Sequence, residues 1–289
     1  MLSPLPRSAR PLRRALVGVA TGLALLAAPD AAAQYAEGGA RSIALGRTGV
    51  ALGGQAWGHL NPATWAGLGD RVVGVEASQA YGLGELRLAG ATAAAPVGFG
   101  TAALSARSFG SEGYGETRVV LGLGRDVPLS STRALSVGVA AGYDGVSIDG
   151  FGSAAGLHLA AGVQGEVLPA LTVGLAARGL AGLVRSADDD LERPLSSVPV
   201  VAAGLAYRPA PNALFLLDAE QDLERDLSIR AGIEVSPVSA LALRLGVGSA
   251  PVRLSGGIGV VAGPLRVDVA AERHETLGLT PAVAIGASF

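Results

Sequence analysis

Apolar and polar residues take turns along this chain in segment after segment, a period of two that an extended strand satisfies and a helix does not. From Asp226 to Val235, Leu227, Ile229, Ala231, Ile233 and Val235 share one face, and Ser228, Arg230, Gly232 and Glu234 share the other. Leu241, Leu243, Leu245 and Val247 alternate with Ala242, Arg244, Gly246 and Gly248. Leu265, Val267, Val269 and Ala271 alternate with Arg266, Asp268, Ala270 and Glu272. Earlier, Val73, Val75 and Ala77 oppose Glu76 and Ser78, and Leu157, Leu159, Ala161 and Val163 face away from His158 and Gln164. Short clusters separate these runs, among them Pro209 to Asn212, Ser236 to Ser239 and Gly263-Pro264, and such clusters make turns.

Counting between turns predicts strands at 71–80, 84–95, 98–108, 115–125, 133–147, 151–166, 170–183, 197–208, 212–221, 226–235, 239–248, 253–262, 265–274 and 279–289. Fourteen is an even number, as a barrel with both chain ends on one side requires, and the runs are about as long as tilted strands that cross a bilayer. The connections at Phe109 to Gly115, at Tyr143 to Ser153 and at Val184 to Ser197 are expected to be the longer loops. If the chain starts on the periplasmic side, these odd-numbered connections face outside. The last of them carries Asp188, Asp189 and Asp190, which lack the spaced ligands and glycine of a recognised calcium loop. A solvated charge run is the simpler reading.

Composition closes off the helical alternative. Hydrophobic residues make up 49% of the chain, but 43 glycines interrupt every apolar run, and each costs a helix roughly 0.5–1 kcal/mol against alanine. Beyond the N-terminus no charge-free apolar stretch is long enough to span as a helix. A closed barrel is the other structure whose backbone is satisfied inside lipid.

The N-terminus has its own pattern. Arg7, Arg10, Arg13 and Arg14 precede an apolar stretch from Ala15 to Leu26, and Ala31-Ala32-Ala33 forms a small-residue cleavage site. That is the layout of a signal peptide, expected at 1–33. The whole chain has a formal net charge of -2, and loss of the four leader arginines leaves the remainder more acidic. Bulk charge therefore argues against nucleic acid as a partner. No lysine and no cysteine occur, so there are no disulfides and no thiolate metal sites.

Residues 34–70 do not alternate. They contain Ala40-Arg41-Ser42, then Leu45-Gly46, Gly49-Val50-Ala51 and Asn61-Pro62-Ala63, just ahead of the first strand. This order resembles the N-terminal region of FadL-type and PorV/PorQ-type outer-membrane proteins. The resemblance implies a small plug inside a fourteen-stranded barrel, with Asn61, Pro62 and Ala63 anchoring or gating it. Geometry supports a plug independently: eight strands are filled by side chains and sixteen leave a channel, so fourteen lined by Gly, Ala and Ser leave a hole to fill. Two departures from the family stand out: the chain looks short of long outer loops, and only 4% of its residues are aromatic. Phe289, in phase with Val283, Ile285 and Ala287, resembles the terminal signal read by barrel-assembly machinery.

Catalytic and metal chemistry find little footing. His59, His158 and His274 lie far apart, and no Gly-x-Ser-x-Gly elbow occurs. Gly257, Gly259 and Ala262 mimic a dinucleotide fingerprint, but a turn and another alternating strand follow where a helix would be needed. The expectation is thus an all-β, transmembrane antiparallel barrel of about fourteen strands at 71–289, preceded by a plug at 34–70. It sits in the outer membrane of a Gram-negative-type envelope, in contact with its lipid, and is neither an enzyme nor a cofactor protein. Arg230, Arg244, Arg266, Asp268 and Glu272 are its polar lumen groups, more readily paired with one another than with substrate. Its role is transport of small hydrophobic molecules or, as the PorV/PorQ resemblance implies, a secretion-associated accessory barrel. The competing reading is a non-conducting structural or partner-binding barrel.

Overall fold

The computed structural model describes residues 38–57, 60–130, 133–186, 199–222 and 226–289. The expected leader, residues 34–37, His59 and the acidic Asp188 to Asp190 run lie outside the described residues. Fourteen strands follow in chain order: β1 (Val72–Gln79), β2 (Arg87–Val97), β3 (Gly100–Ser111), β4 (Tyr114–Pro128), β5 (Ala134–Ile148), β6 (Gly152–Leu168) and β7 (Leu171–Ser186). The second half holds β8 (Val200–Ala210), β9 (Ala213–Asp222), β10 (Ser228–Val238), β11 (Leu241–Ser249), β12 (Val252–Ala262), β13 (Leu265–His274) and β14 (Gly278–Ser288). Every expected strand is present, each within a few residues of its expected bounds.

Each strand pairs antiparallel with the next, and β1 pairs with β14 from Val72 opposite Ser288 to Ser78 opposite Ala282. The sheet therefore closes without an edge. Arg71 and Phe289 extend that seam by exchanging two backbone hydrogen bonds of 3.0 Å. Both ends of the barrel chain thus emerge on the side of the even-numbered connections. Most of those are two-residue turns, such as Gly98-Phe99, Pro211-Asn212 and Gly263-Pro264.

Polarity is inverted relative to a water-soluble barrel. Outward positions carry Leu121, Val139, Leu245, Leu254, Ile258 and Val269, all more than half exposed. Inward positions carry buried Glu76, Arg107, Asp218, Arg230, Glu234, Arg244, Asp268 and Glu272. A continuous apolar exterior on a closed sheet is a surface built for lipid.

Two of the expected loops are hairpins instead. β3 and β4 pair as far as Ser111 opposite Tyr114, and β5 and β6 as far as Ile148 opposite Gly152. The turns close at Glu112-Gly113 and Asp149 to Phe151, where Gly113 (φ 89) and Gly150 (φ 78) take left-handed conformations that other residues resist. Alternation fades here because both faces meet water past the lipid, so a polar, glycine-rich sequence still forms a ladder. β4 to β7, at 15, 15, 17 and 16 residues, consequently overrun the roughly 9–11 residues that a tilted crossing uses.

Leu245, 68% exposed at the centre of β11, tests the lipid-facing assignment. Leu245→Arg should destabilise the lipid-embedded barrel by about 2–4 kcal/mol in reversible denaturant unfolding from vesicles. An unchanged midpoint would mean that this face meets water.

Candidate functional site

The described part of the segment ahead of β1 lies in the lumen. A short helix, α1 (Gly39–Ala44), packs Ala40, Ile43 and Ala44 on Ala270, Ala282 and Ala284 of β13 and β14. Leu45, Ala51 and Leu52 meet Ala206, Leu214 and Leu216, and Val50 and Leu60 meet Ala176 and Ala202. Trp65 closes the circuit against Ala94, Ala103, Val120 and Ala140.

Asn61, Pro62 and Ala63 begin a 3-10 turn, Pro62–Trp65, and all three are buried. The Asn61 Oδ1 accepts from the Ala63 N–H at 2.9 Å, while Nδ2 donates to the Val50 carbonyl at 2.7 Å and the Val163 carbonyl of β6 at 3.4 Å. One side chain thus caps the turn, ties it to an earlier part of the segment and reaches the wall.

The wall is shaped to receive this backbone. Gly122, Gly124, Gly138, Gly162, Gly174, Gly204, Gly232, Gly246 and Gly257 form a belt of inward-facing glycines on eight strands. A Cβ at any of them would fall within 3.0 Å of the interior segment, for example 2.6 Å from the Ala66 nitrogen at Gly124 and 2.7 Å from the Val50 Cβ at Gly204. The hole expected from glycine-lined strands is therefore filled, and glycine is what lets the filling fit.

Charge then fastens it. Arg41 of α1 forks onto Glu234 of β10, with Nε and Nη2 at 2.8 and 2.7 Å from the two carboxylate oxygens. Glu234 also accepts from Arg244 Nε at 2.6 Å, Arg244 Nη1 reaches Asp268 at 2.8 Å, and Arg266 Nε reaches the same carboxylate at 2.9 Å. The Arg244–Asp268 pair crosses β12 over Gly259, where a Cβ would sit 2.5 Å from the Arg244 Nη2. A second fork joins Arg47 to Glu272, both bonds at 2.8 Å. Arg230 and Arg178 share Glu220, and Asp218 accepts from the Gly49 and Val50 N–H groups at 2.7 and 3.1 Å. Glu76 and Arg107 pair at 2.7 Å, with the guanidinium over the Trp57 ring. Removing one partner of a buried pair with no other partner costs about 3–5 kcal/mol.

The five expected lumen residues are all inward. Arg244, Arg266 and Asp268 belong to one network, Glu272 holds Arg47, and Arg230 serves Glu220. The sequence sets Arg41 in a motif without a partner, and leaves Arg47, Asp218 and Glu220 unassigned. His158 lies beside Asp144 (2.8 Å) and His274 stacks edge-on with Tyr81; they occupy separate places.

A cavity of about 150 Å³ remains between the interior segment and the β13–β14–β1 wall. Trp57, Leu68, Gly74, Ala284 and Gly286 line its apolar side, and Arg41, Gln55, Arg266 and Asp268 its polar side.

A closed fourteen-stranded barrel, apolar outside and filled by a charge-fastened segment inside, is an outer-membrane β-barrel protein. No protein-family model and no curated protein matches the chain. Among solved structures it is similar to the CymD monoaromatic hydrocarbon channel, at 12% identity and TM-score 0.62 over 89% of this chain and 99% of that one. It is likewise similar to the Pseudomonas putida toluene transporter TodX, at 12% identity and TM-score 0.55 over 86% and 96% of the two chains. A Pseudomonas aeruginosa FadL homologue aligns at 10% identity and TM-score 0.56 over 87% and 98%. At these identities the likeness is one of fold. The FadL-type architecture is thus met, and the PorV/PorQ half of the resemblance is carried by the sequence motif alone.

Gly246→Leu should displace the interior segment, since overpacking a close contact costs about 1–3 kcal/mol or more. Trypsin would then cleave after Arg41 and Arg47 in a barrel that still shifts its gel mobility on boiling. A variant as resistant as the parent protein would show that the belt does not hold the segment.

Proposed function

We propose that this barrel passes small, largely apolar molecules across the outer membrane. The observation that carries the reading is the cavity beside Trp57. An engineered apolar cavity of about 150 Å³ in another protein takes up benzene, so the space here suits a molecule of one ring. CymD and TodX, which share the fold, are described as a monoaromatic hydrocarbon channel and a toluene transporter.

Passage needs a moving part, because the interior segment fills the lumen. α1 fits that role. Its apolar contacts are to alanines of the wall, and its one charge clamp, Arg41, binds a carboxylate that Arg244 also holds. Shifting α1 therefore leaves Glu234 paired, avoiding most of the cost of a stranded buried charge. Asn61, Pro62 and Ala63 serve as the anchor rather than the gate, since Asn61 bridges the segment and the wall.

One observation favours the second reading, a non-conducting accessory or partner-binding barrel of PorV/PorQ type. β3–β4 and β5–β6 form paired hairpins at the end of the long strands, offering a sheet surface to other envelope proteins.

Gly286→Leu separates the two. A Cβ there meets only the Val73 carbonyl, at 3.4 Å, so the leucine fits the fold and fills the cavity. In a host with an intact outer membrane, the parent protein should raise toluene entry several-fold over this variant, at equal levels of folded barrel. Equal entry would set transport aside, and recovery of a stoichiometric envelope partner would then support the accessory role.

A further inference from the structure

Resting on the transport reading of the same cavity, we infer that its preferred ligand is a small monoanion: a carboxylate on a body of one ring, with the charge against Arg266. Among the described residues, the network at the polar side joins three arginines, Arg41, Arg244 and Arg266, to two carboxylates, Glu234 and Asp268. It holds one positive charge more than it neutralises. An arginine left without a carboxylate of its own, and reachable from the cavity, is a place where an anion gains a charge-assisted bond.

The excess is positioned to be used. Arg244 is fully covered and Arg41 has both of its bonding nitrogens on Glu234, but the Arg266 side chain is 37% exposed and lines the cavity. Its Nε is committed to Asp268, while Nη2 lies 4.0 Å from Glu234, beyond hydrogen-bond reach. The outer edge of the guanidinium is left to face the space, and a guanidinium edge matches a carboxylate in shape.

A second observation points the same way. Gln55 lines this cavity, and its Nε2 is buried without an acceptor. A buried donor with no partner is uncommon, and an oxygen of the ligand would satisfy it. Opposite these donors, Gly74, Ala284 and Gly286 leave room for a flat apolar body beside the Trp57 ring. A pure hydrocarbon would fill that half and leave the donors of the other half unmet.

Equilibrium dialysis of the detergent-purified full-length protein against radiolabelled benzoate and radiolabelled toluene at low ionic strength tests this. Benzoate should bind at least about tenfold more tightly than toluene, the margin expected of a charge-assisted pair. R266Q should lose about that factor for benzoate, and R266K, which keeps the charge, should recover part of it. Each variant is first checked for the boiling-dependent gel shift of a closed barrel. Toluene binding as tightly as benzoate would overturn the anion preference and leave the transport reading standing. Benzoate binding that R266Q does not weaken would overturn the assignment to Arg266. Binding of neither ligand to the parent protein would overturn both readings.

Discussion

Everything in this molecule follows from the ladder between β1 and β14. Seven paired positions, from Val72 opposite Ser288 to Ser78 opposite Ala282, turn an open sheet into one with no edge. In lipid nothing else would satisfy the backbone groups of the terminal strands. Closure at fourteen strands also fixes the width of the lumen, which lies between barrels that side chains fill and barrels that stay open. The interior segment is the consequence. Once inside it brings polar backbone of its own, and the wall answers with Asp218 at Gly49 and Val50 and with the Ser255 hydroxyl at Gly46.

Filling the lumen with backbone rather than with side chains explains the composition. Glycine within a strand weakens it, by up to about 1 kcal/mol relative to alanine. The nine belt glycines accept that cost because each lies where the interior segment touches the wall. Their burden is spread over eight strands whose outer faces keep the leucine, isoleucine and valine that hold the barrel in lipid. Gly259 extends the same device to charge, giving Arg244 and Asp268 a way past β12.

Strands were legible because lipid and lumen impose opposite demands on neighbouring residues, and that demand writes a period of two. Where the demand ends, so does the legibility. The stretch from Phe109 to Gly115 reads as a loop although it pairs to Ser111 opposite Tyr114, since past the membrane both faces are wet. The inward charges could be placed on their face, as Arg230, Arg244, Arg266, Asp268 and Glu272 show, because they alternate with Leu, Val and Ile. Their partners could not. Arg41 and Glu234 are 193 positions apart, and the segment carrying Arg41 has no periodicity to indicate which wall residue it meets. The belt was legible as small inward residues that leave a hole, but not as the contact each glycine makes, and the cavity, a space between two surfaces, leaves no mark on either sequence alone.

The choice of arginine gives the fastening its character. Arg41 and Arg47 each grip a carboxylate through two nitrogens, a fork that a lysine ammonium cannot form. A fork sets the orientation of the segment as well as its position, which a belt of featureless glycines could not do. Three of the wall carboxylates, Glu234, Glu220 and Asp268, are moreover each held by two arginines. Sharing divides the grip: one arginine can let go while the carboxylate stays neutralised by the other. At Glu234 the arginine free to leave is the one on α1, and the one that stays is fixed in β11. The segment is thus held firmly in one arrangement without making every other arrangement prohibitive, the combination that a filled barrel needs if anything is to pass.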